Sequence, residues 1–185
     1  MNNLSLDGDL AEGADYRVVR SVSMGGGHVW LLASDLRIDS EAEEMVVLST
    51  RLLSAGPGAN SVNIEADLPD ASSIVYSAGA VWASRGTSNG LRVDPLTDAV
   101  EDLSTSLITP FGDAQGRILF AHQGSNSQWQ LDALDPTTGS ISVIATMPSG
   151  FTDTGSLVGG TWDETSSSAW LINEKGDILK VGPSP

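Results

Sequence analysis

The chain has 185 residues, 24 of them acidic and 9 basic, for a net charge of −15. That balance argues against nucleic acid and anionic membrane surfaces as partners, because phosphate binding needs Lys and Arg to displace counterions. With no cysteine, disulfide frameworks, thiolate zinc sites and cysteine nucleophiles are excluded. The length suits one domain. Twenty Gly, eight Pro and many Ser/Thr/Asn/Asp clusters predict short strands joined by frequent turns. No long stretch carries apolar residues at helical spacing, so helix should be minor.

Residues 1–15 read as an N-terminal segment. They lack the basic and apolar regions of a signal peptide. The longest apolar stretch, Val29 to Ala33, is far short of a membrane span. Residues 16–185 read as one repeat domain. Leu36-Arg37-Ile38-Asp39 through Leu52 aligns without a gap with Leu91-Arg92-Val93-Asp94 through Leu107, with seven identities in seventeen positions. A third copy runs from Leu131 to Met147, and a short fourth is Leu179-Lys180-Val181-Gly182-Pro183. The markers Asp39, Asp94, Asp135 and Gly182 stand 55, 41 and 47 residues apart, against roughly 40–45 for a four-stranded propeller blade. A loop insertion at 54–69 would account for the longest spacing.

Each copy is preceded by a short apolar strand: Gly27-His28-Val29-Trp30-Leu31, Gly79-Ala80-Val81-Trp82, Gly116-Arg117-Ile118-Leu119-Phe120 and Ser168-Ala169-Trp170-Leu171-Ile172. Upstream strands are predicted at Val18–Ser23, Ser73–Ser77, Leu107–Phe111 and Ser156–Trp162. Downstream strands are predicted at Met45–Thr50, Ala99–Leu103 and Ser140–Ala145. The recurrent Trp or Leu should fill the seam between blades, where a large side chain buries most area. Asp39, Asp94 and Asp135 should close turns, since an Asp carboxylate accepts backbone N–H groups just downstream. The fold class that follows is all-β: a β-propeller of four-stranded antiparallel blades, about four in number. Such a ring can be closed by residues 2–6, or remain incomplete and be completed by a second copy in a homodimer.

The string Ala80-Val81-Trp82 followed by Asp94-Pro95-Leu96-Thr97-Asp98-Ala99-Val100 resembles the repeat of bacterial YVTN-type and virginiamycin-B-lyase-like propellers. The stretch from Gly160-Thr161-Trp162-Asp163-Glu164 to Val181-Gly182-Pro183 is similar to a blade of the SMP-30/gluconolactonase group. The first resemblance implies a metal-assisted lyase using a channel histidine and carboxylates, the second a divalent metal held by Glu, Asn and Asp. This chain has Leu157-Val158-Gly159-Gly160 where the group's first Glu is expected.

Catalytic equipment is thin. Gly86-Thr87-Ser88-Asn89-Gly90 fits G-x-S-x-G but links two predicted strands, whereas a nucleophile elbow must lead into a helix. His28 and His122 stand at strand ends. Gly25-Gly26-Gly27 lacks the Lys and helix of a phosphate loop, and Asp7-Gly8-Asp9 lacks the further ligands of a calcium loop. The sequence therefore favours a non-catalytic scaffold, with no cofactor, that binds a protein or small-molecule ligand. The loops carrying Arg85, Ser88 and Asn89, and His122, Gln123 and Trp129, are the candidate recognition surface. Trp129 serves equally well as a core residue. The alternatives are a metal-dependent lyase or hydrolase at the channel, and a truncated fragment without activity.

Overall fold

The computed structural model describes residues 5–6, 10–86, 88–104, 108–123, 128–148, 150–151 and 157–182, with the side chains at 88, 108, 109, 122, 123 and 158 outside that description. The first blade takes β1 (Tyr16–Gly25), β2 (His28–Asp39), β3 (Glu44–Ala55) and β4 (Asn63–Asp67). The second takes β5 (Ser73–Ser77), β6 (Ala80–Arg85), β7 (Ser88–Val93) and β8 (Val100–Asp102). The third takes β9 (Ile108–Ala114), β10 (Arg117–Gln123), β11 (Trp129–Leu134) and β12 (Ile141–Thr146). The fourth has β13 (Leu157–Asp163), β14 (Ser168–Asn173) and β15 (Ile178–Val181). Every blade is an antiparallel meander in sequence order. Side by side in a ring, with β1, β5, β9 and β13 innermost, the four sheets form a four-bladed β-propeller. Among the described residues there is no helix, hence none long and apolar enough to cross a membrane.

Alternation along the second strand of each blade builds the seams. Trp30 and Leu32 of β2 point toward the second blade and meet Val81 and Ala83 of β6. Residues of the opposite parity, Ala80 and Trp82, meet Ile118 and Phe120 of the third blade. Leu119 and Ala121 in turn meet Ala169 and Leu171 of the fourth. The second strands of the middle blades are buried on both faces, so they read as unbroken apolar runs. Burying one such Leu or Phe is worth roughly 1.5–3 kcal/mol.

Two glycines of the 25–27 run have a packing reason beyond their turn. The Tyr76 ring lies flat against them, so that a Cβ on Gly25 would stand 2.0 Å from Tyr76 Cδ1 and one on Gly26 2.5 Å from its hydroxyl. Tyr76 also stacks on Trp30, with centroids 5.9 Å apart.

The first blade departs from the sequence reading. Leu36–Asp39 is the end of the long β2, so Asp39 turns the second strand into the third. Asp94 and Asp135 instead turn the third strand into the fourth. Met45–Thr50 accordingly belongs to the third strand, and the fourth, β4, lies inside 54–69, the stretch expected to be a loop insertion. The cause is local chemistry. Asp39 Oδ1 accepts the N–H groups of Glu41 and Ala42, and Asp135 Oδ1 those of Thr137 and Thr138. An Asp turn closes any hairpin, whatever its place in the blade.

Of residues 2–6, Ser5 and Leu6 pair with the first blade, not the fourth. Ser5 N donates to Asn60 O at 3.0 Å and bridges Ser61, and Leu6 packs on an apolar cluster of β2 and β3. Residues 2–4 lie outside the described residues.

Candidate functional site

The inner strands surround a central cavity of about 300 Å³, lined by Arg20–Ser23, Ser73–Val75, Pro110, Phe111, Gly159 and Gly160. All four blades contribute to its wall. Three of the inner strands break register there, between Val19 and Ser21 in β1, opposite Leu119 and Ala121 in β9, and between Leu157 and Gly159 in β13. A bulge bends its strand and re-aims a side chain. In β1 the extra residue is Arg20. Pro110, which has no N–H to give a ladder, sits within the β9 irregularity.

Adjoining inner strands are joined through side chains. Ser21 and Ser23 accept the amides of Ile74 (3.1 Å) and Tyr76 (2.8 Å). Ser77 donates to Asp113 across the next seam. The amide of Gln115 donates to Glu164 at 3.3 Å across the third. Ser73 Oγ, on the cavity wall, is buried without a hydrogen-bond partner.

The electrostatics of the wall set it apart from the rest of the molecule. Among the described residues Arg20 is its sole ionic group, and no Asp, Glu or His of theirs lines it. Arg20 is exposed and has no ion-pair partner among the described residues. A solvated cation in a wall that also carries Val22, Ile74 and Phe111 can take a small anion with a short apolar body.

A larger cavity of about 500 Å³ lies between the second and third blades, over Trp82, Leu103, Leu134 and Ile141. Its ionic groups are already matched. Arg92 pairs with Glu101 at 3.1 Å and Asp94 at 3.7 Å, and its guanidinium lies 6.0 Å from the Trp82 ring centroid.

Another ionic group, absent from the sequence reading, is buried in the first blade. The Asp35 carboxylate is 1% exposed and takes Arg17 Nε at 2.6 Å, with Arg51 at 3.5 Å. It also accepts the Ala11 amide at 2.9 Å. Burial pushes its pKa up, but the hydrogen bonds from Arg17 and Ala11 and the two guanidinium charges outweigh this and hold it below the ordinary carboxylate value. The carboxyls of Asp135 and Asp163 are likewise held low. At Asp135 the cause is chiefly the amides of Thr137 and Thr138, and at Asp163 the Ser166 hydroxyl.

The predicted recognition residues fall on two hairpins that occupy the same place in adjacent blades, β6–β7 and β10–β11. Arg85 is spent internally, donating to Asn89 O at 2.7 Å and pairing with Asp102. Asn89 is exposed, and Ser88 pairs with Arg85 in the ladder. His122 and Gln123 continue β10, with Gln123 opposite Trp129. The side chains of Ser88, His122 and Gln123 lie outside the described residues. Trp129 is half-buried against the core of the third and fourth blades, which is its core reading. Arg85, Asn89 and Trp129 do not line the central cavity. His28 stands at the ring's edge, its Nδ1 3.1 Å from Gly26 O and its ring 5.6 Å from Trp30. Among the described residues no three His, Cys, Asp or Glu side chains gather as a metal site would require. Arg20 escaped the sequence reading. Its one signal is a cation set among the Val and Ser residues of an inner strand in an acid-rich chain.

No family profile and no curated protein matches the chain. Solved structures do. The chain is similar to a gluconolactonase from Xanthomonas campestris at 12% identity and a TM-score of 0.60, over 95% of this chain and 61% of the other. It is similar to an oligogalacturonate lyase in complex with manganese at 8% identity and a TM-score of 0.56, over 88% of this chain and 52% of the other. It also matches a computationally designed protein at 7% identity and a TM-score of 0.55, over 100% of this chain and 99% of that one. At such identities the likeness is one of fold. The chain spans little more than half the length of the two enzymes.

Proposed function

We propose that this chain is a non-catalytic binding scaffold whose ligand is a small carboxylate or comparable anion held at the centre of the ring. One observation carries the reading: in a protein of net charge −15, the described residues line the central cavity with one cation, Arg20, that has no ion-pair partner among them, and with no acid. An anion reaching Arg20 meets a charge that no carboxylate of the described residues neutralises. A charge-assisted hydrogen bond of this kind is roughly twice as strong as a neutral one.

The metal-dependent lyase or hydrolase reading draws on the fold shared with the gluconolactonase and the manganese-bound lyase. The described lining offers it no His, Asp or Glu to hold a metal. We also propose kinship with YVTN-type and virginiamycin-B-lyase-like bacterial repeats, on Ala80-Val81-Trp82 and Asp94–Val100. A fragment without activity of its own is the third reading.

Titration calorimetry with acetate, succinate and phosphate, with and without manganese, separates these readings. The expected result is metal-independent binding that Arg20→Ala weakens at least about tenfold, which is ~1.4 kcal/mol, while the melting temperature stays within a few degrees. Binding that appears only with manganese would favour the enzyme. Binding that survives Arg20→Ala would place the ligand elsewhere.

A further inference from the structure

We infer that the outward face of the fourth blade is an interface with a second copy of this chain. Equivalent positions in the four blades carry the argument. The third residue of each second strand pairs with the third-last residue of the strand before it: Trp30 with Ser23, Trp82 with Val75, Leu119 with Gly112, and Trp170 with Thr161. The first three are sealed in their seams, at 3%, 3% and 0% exposure, whereas Trp170 is 39% exposed. Trp30 and Trp82 also donate their indole N–H to the carbonyls of Gly25 and Ser77, at 3.0 and 2.9 Å. Among the described residues Trp170 makes no such bond; the Lys180 ammonium lies 5.2 Å from its ring centroid. Ile172, two residues on, and Ile178, its partner across the ladder, extend the same face and are exposed as well. The fourth blade thus presents a seam surface, complete in its residue types, with nothing among the described residues sealed against it.

Inside the chain each such face packs on the reverse face of the next blade. On the first blade's reverse face the chain's own Leu6 and Val62 pack on the cluster of Leu31 and Leu53, and only the margins of that face are left over. The face carries the cross-strand row Val22, Leu31, Leu53 and Ile64, with Met24 beside it, and Val22, Met24 and Ile64 are exposed. Asp67, which pairs with Arg51 at 3.3 Å, stands on this face with its side chain 77% exposed, open to Lys180 as a second counter-charge. Within one chain the seam between β13 and β1 lacks the stitches of the others, since among the described residues no hydrogen bond joins β13 to Arg20–Ser23 of β1. Two copies related by a twofold axis place each fourth blade on the other's first blade, so that Trp170, Ile172 and Ile178 cover the exposed margin of Val22, Met24 and Ile64 in one repeated contact. Such an isologous contact closes on itself and does not propagate. This inference does not depend on the anion at Arg20.

The chain's lack of cysteine makes the test direct. Light scattering on the full chain should give twice 19.2 kDa. Met24→Cys and Trp170→Cys, prepared separately and mixed under oxidising conditions, should form a disulfide between chains. Trp170→Arg should weaken self-association at least about tenfold, as loss of a central aromatic anchor does. Ile178→Asp on the same face should do likewise, with circular dichroism confirming that it is folded. A monomeric mass at every attainable concentration overturns the proposal. So does an intramolecular disulfide, with no cross-linked dimer, when both cysteines are placed in one chain. Either result would mean that the face is bare or is covered by the chain's own residues.

Discussion

Two residues of this protein are chosen for what they leave out. At Gly25 a methyl group would occupy the space of the Tyr76 ring, 2.0 Å from Cδ1, and that ring is pinned between the glycine backbone and Trp30. Overpacking at such a point costs ~1–3 kcal/mol. Gly25→Ala should lower the stability measured by urea unfolding within that range. Gly25→Ala combined with Tyr76→Ala should cost less than the two single losses added together, since they share one space. If the double variant is simply additive, the contact is not where the strain lies. Arg20 shows the converse economy: one charge, set at a bulge, gives the central cavity a sign opposite to that of the protein.

At the level of the element, the first blade is held by ions as well as by apolar seams. Asp35 joins β1 through Arg17, β3 through Arg51 and Ser49, and the N-terminal segment through the Ala11 amide; Arg17 also donates to Leu6 O at 3.0 Å. Replacing the carboxylate by an amide leaves Arg17 buried without its counter-charge, so Asp35→Asn should cost ~3–5 kcal/mol. The sign with pH follows from the lowered pKa. The folded state binds this proton less readily than the unfolded chain, so the stabilisation is complete above the unfolded value of about 3.9 and is lost as pH falls through the lower folded value. Urea midpoints measured downward from pH 5 should fall in the wild type and fall less steeply in Asp35→Asn. Equal slopes would remove Asp35 as the cause. The Asp turns were legible because their chemistry spans three residues. Asp39, Asp94, Asp135 and Asp163 all accept amides immediately downstream. The same locality explains the misreading of the first blade, since a turn signal carries no record of which two strands it joins.

For the whole molecule, the seams set an order of stability. β6 and β10 are packed on both faces within the described structure, while β15 is the outermost strand of a sheet whose outward face is open. Native-state hydrogen exchange should therefore be slowest in β6 and β10 and fastest in β15, because local opening is cheapest where few apolar contacts are lost. Uniform protection from Tyr16 to Val181 would contradict a ring whose fourth seam is the weak one. The all-β class, the blade spacing and the seam positions of Trp30, Trp82 and Leu119 were determined by the sequence, because strand alternation, turn chemistry and aromatic recurrence act over a few neighbouring residues; Trp170, expected in a seam on the same pattern, is 39% exposed. Three things only the tertiary structure decided: the true fourth strand of the first blade, the Asp35 ion cluster, and the meeting of Arg20 with Ser73, Phe111 and Gly160 at one cavity. Each joins residues from different strands or blades, and a contact between distant segments depends on the ring geometry that the whole chain assembles, which no local pattern contains.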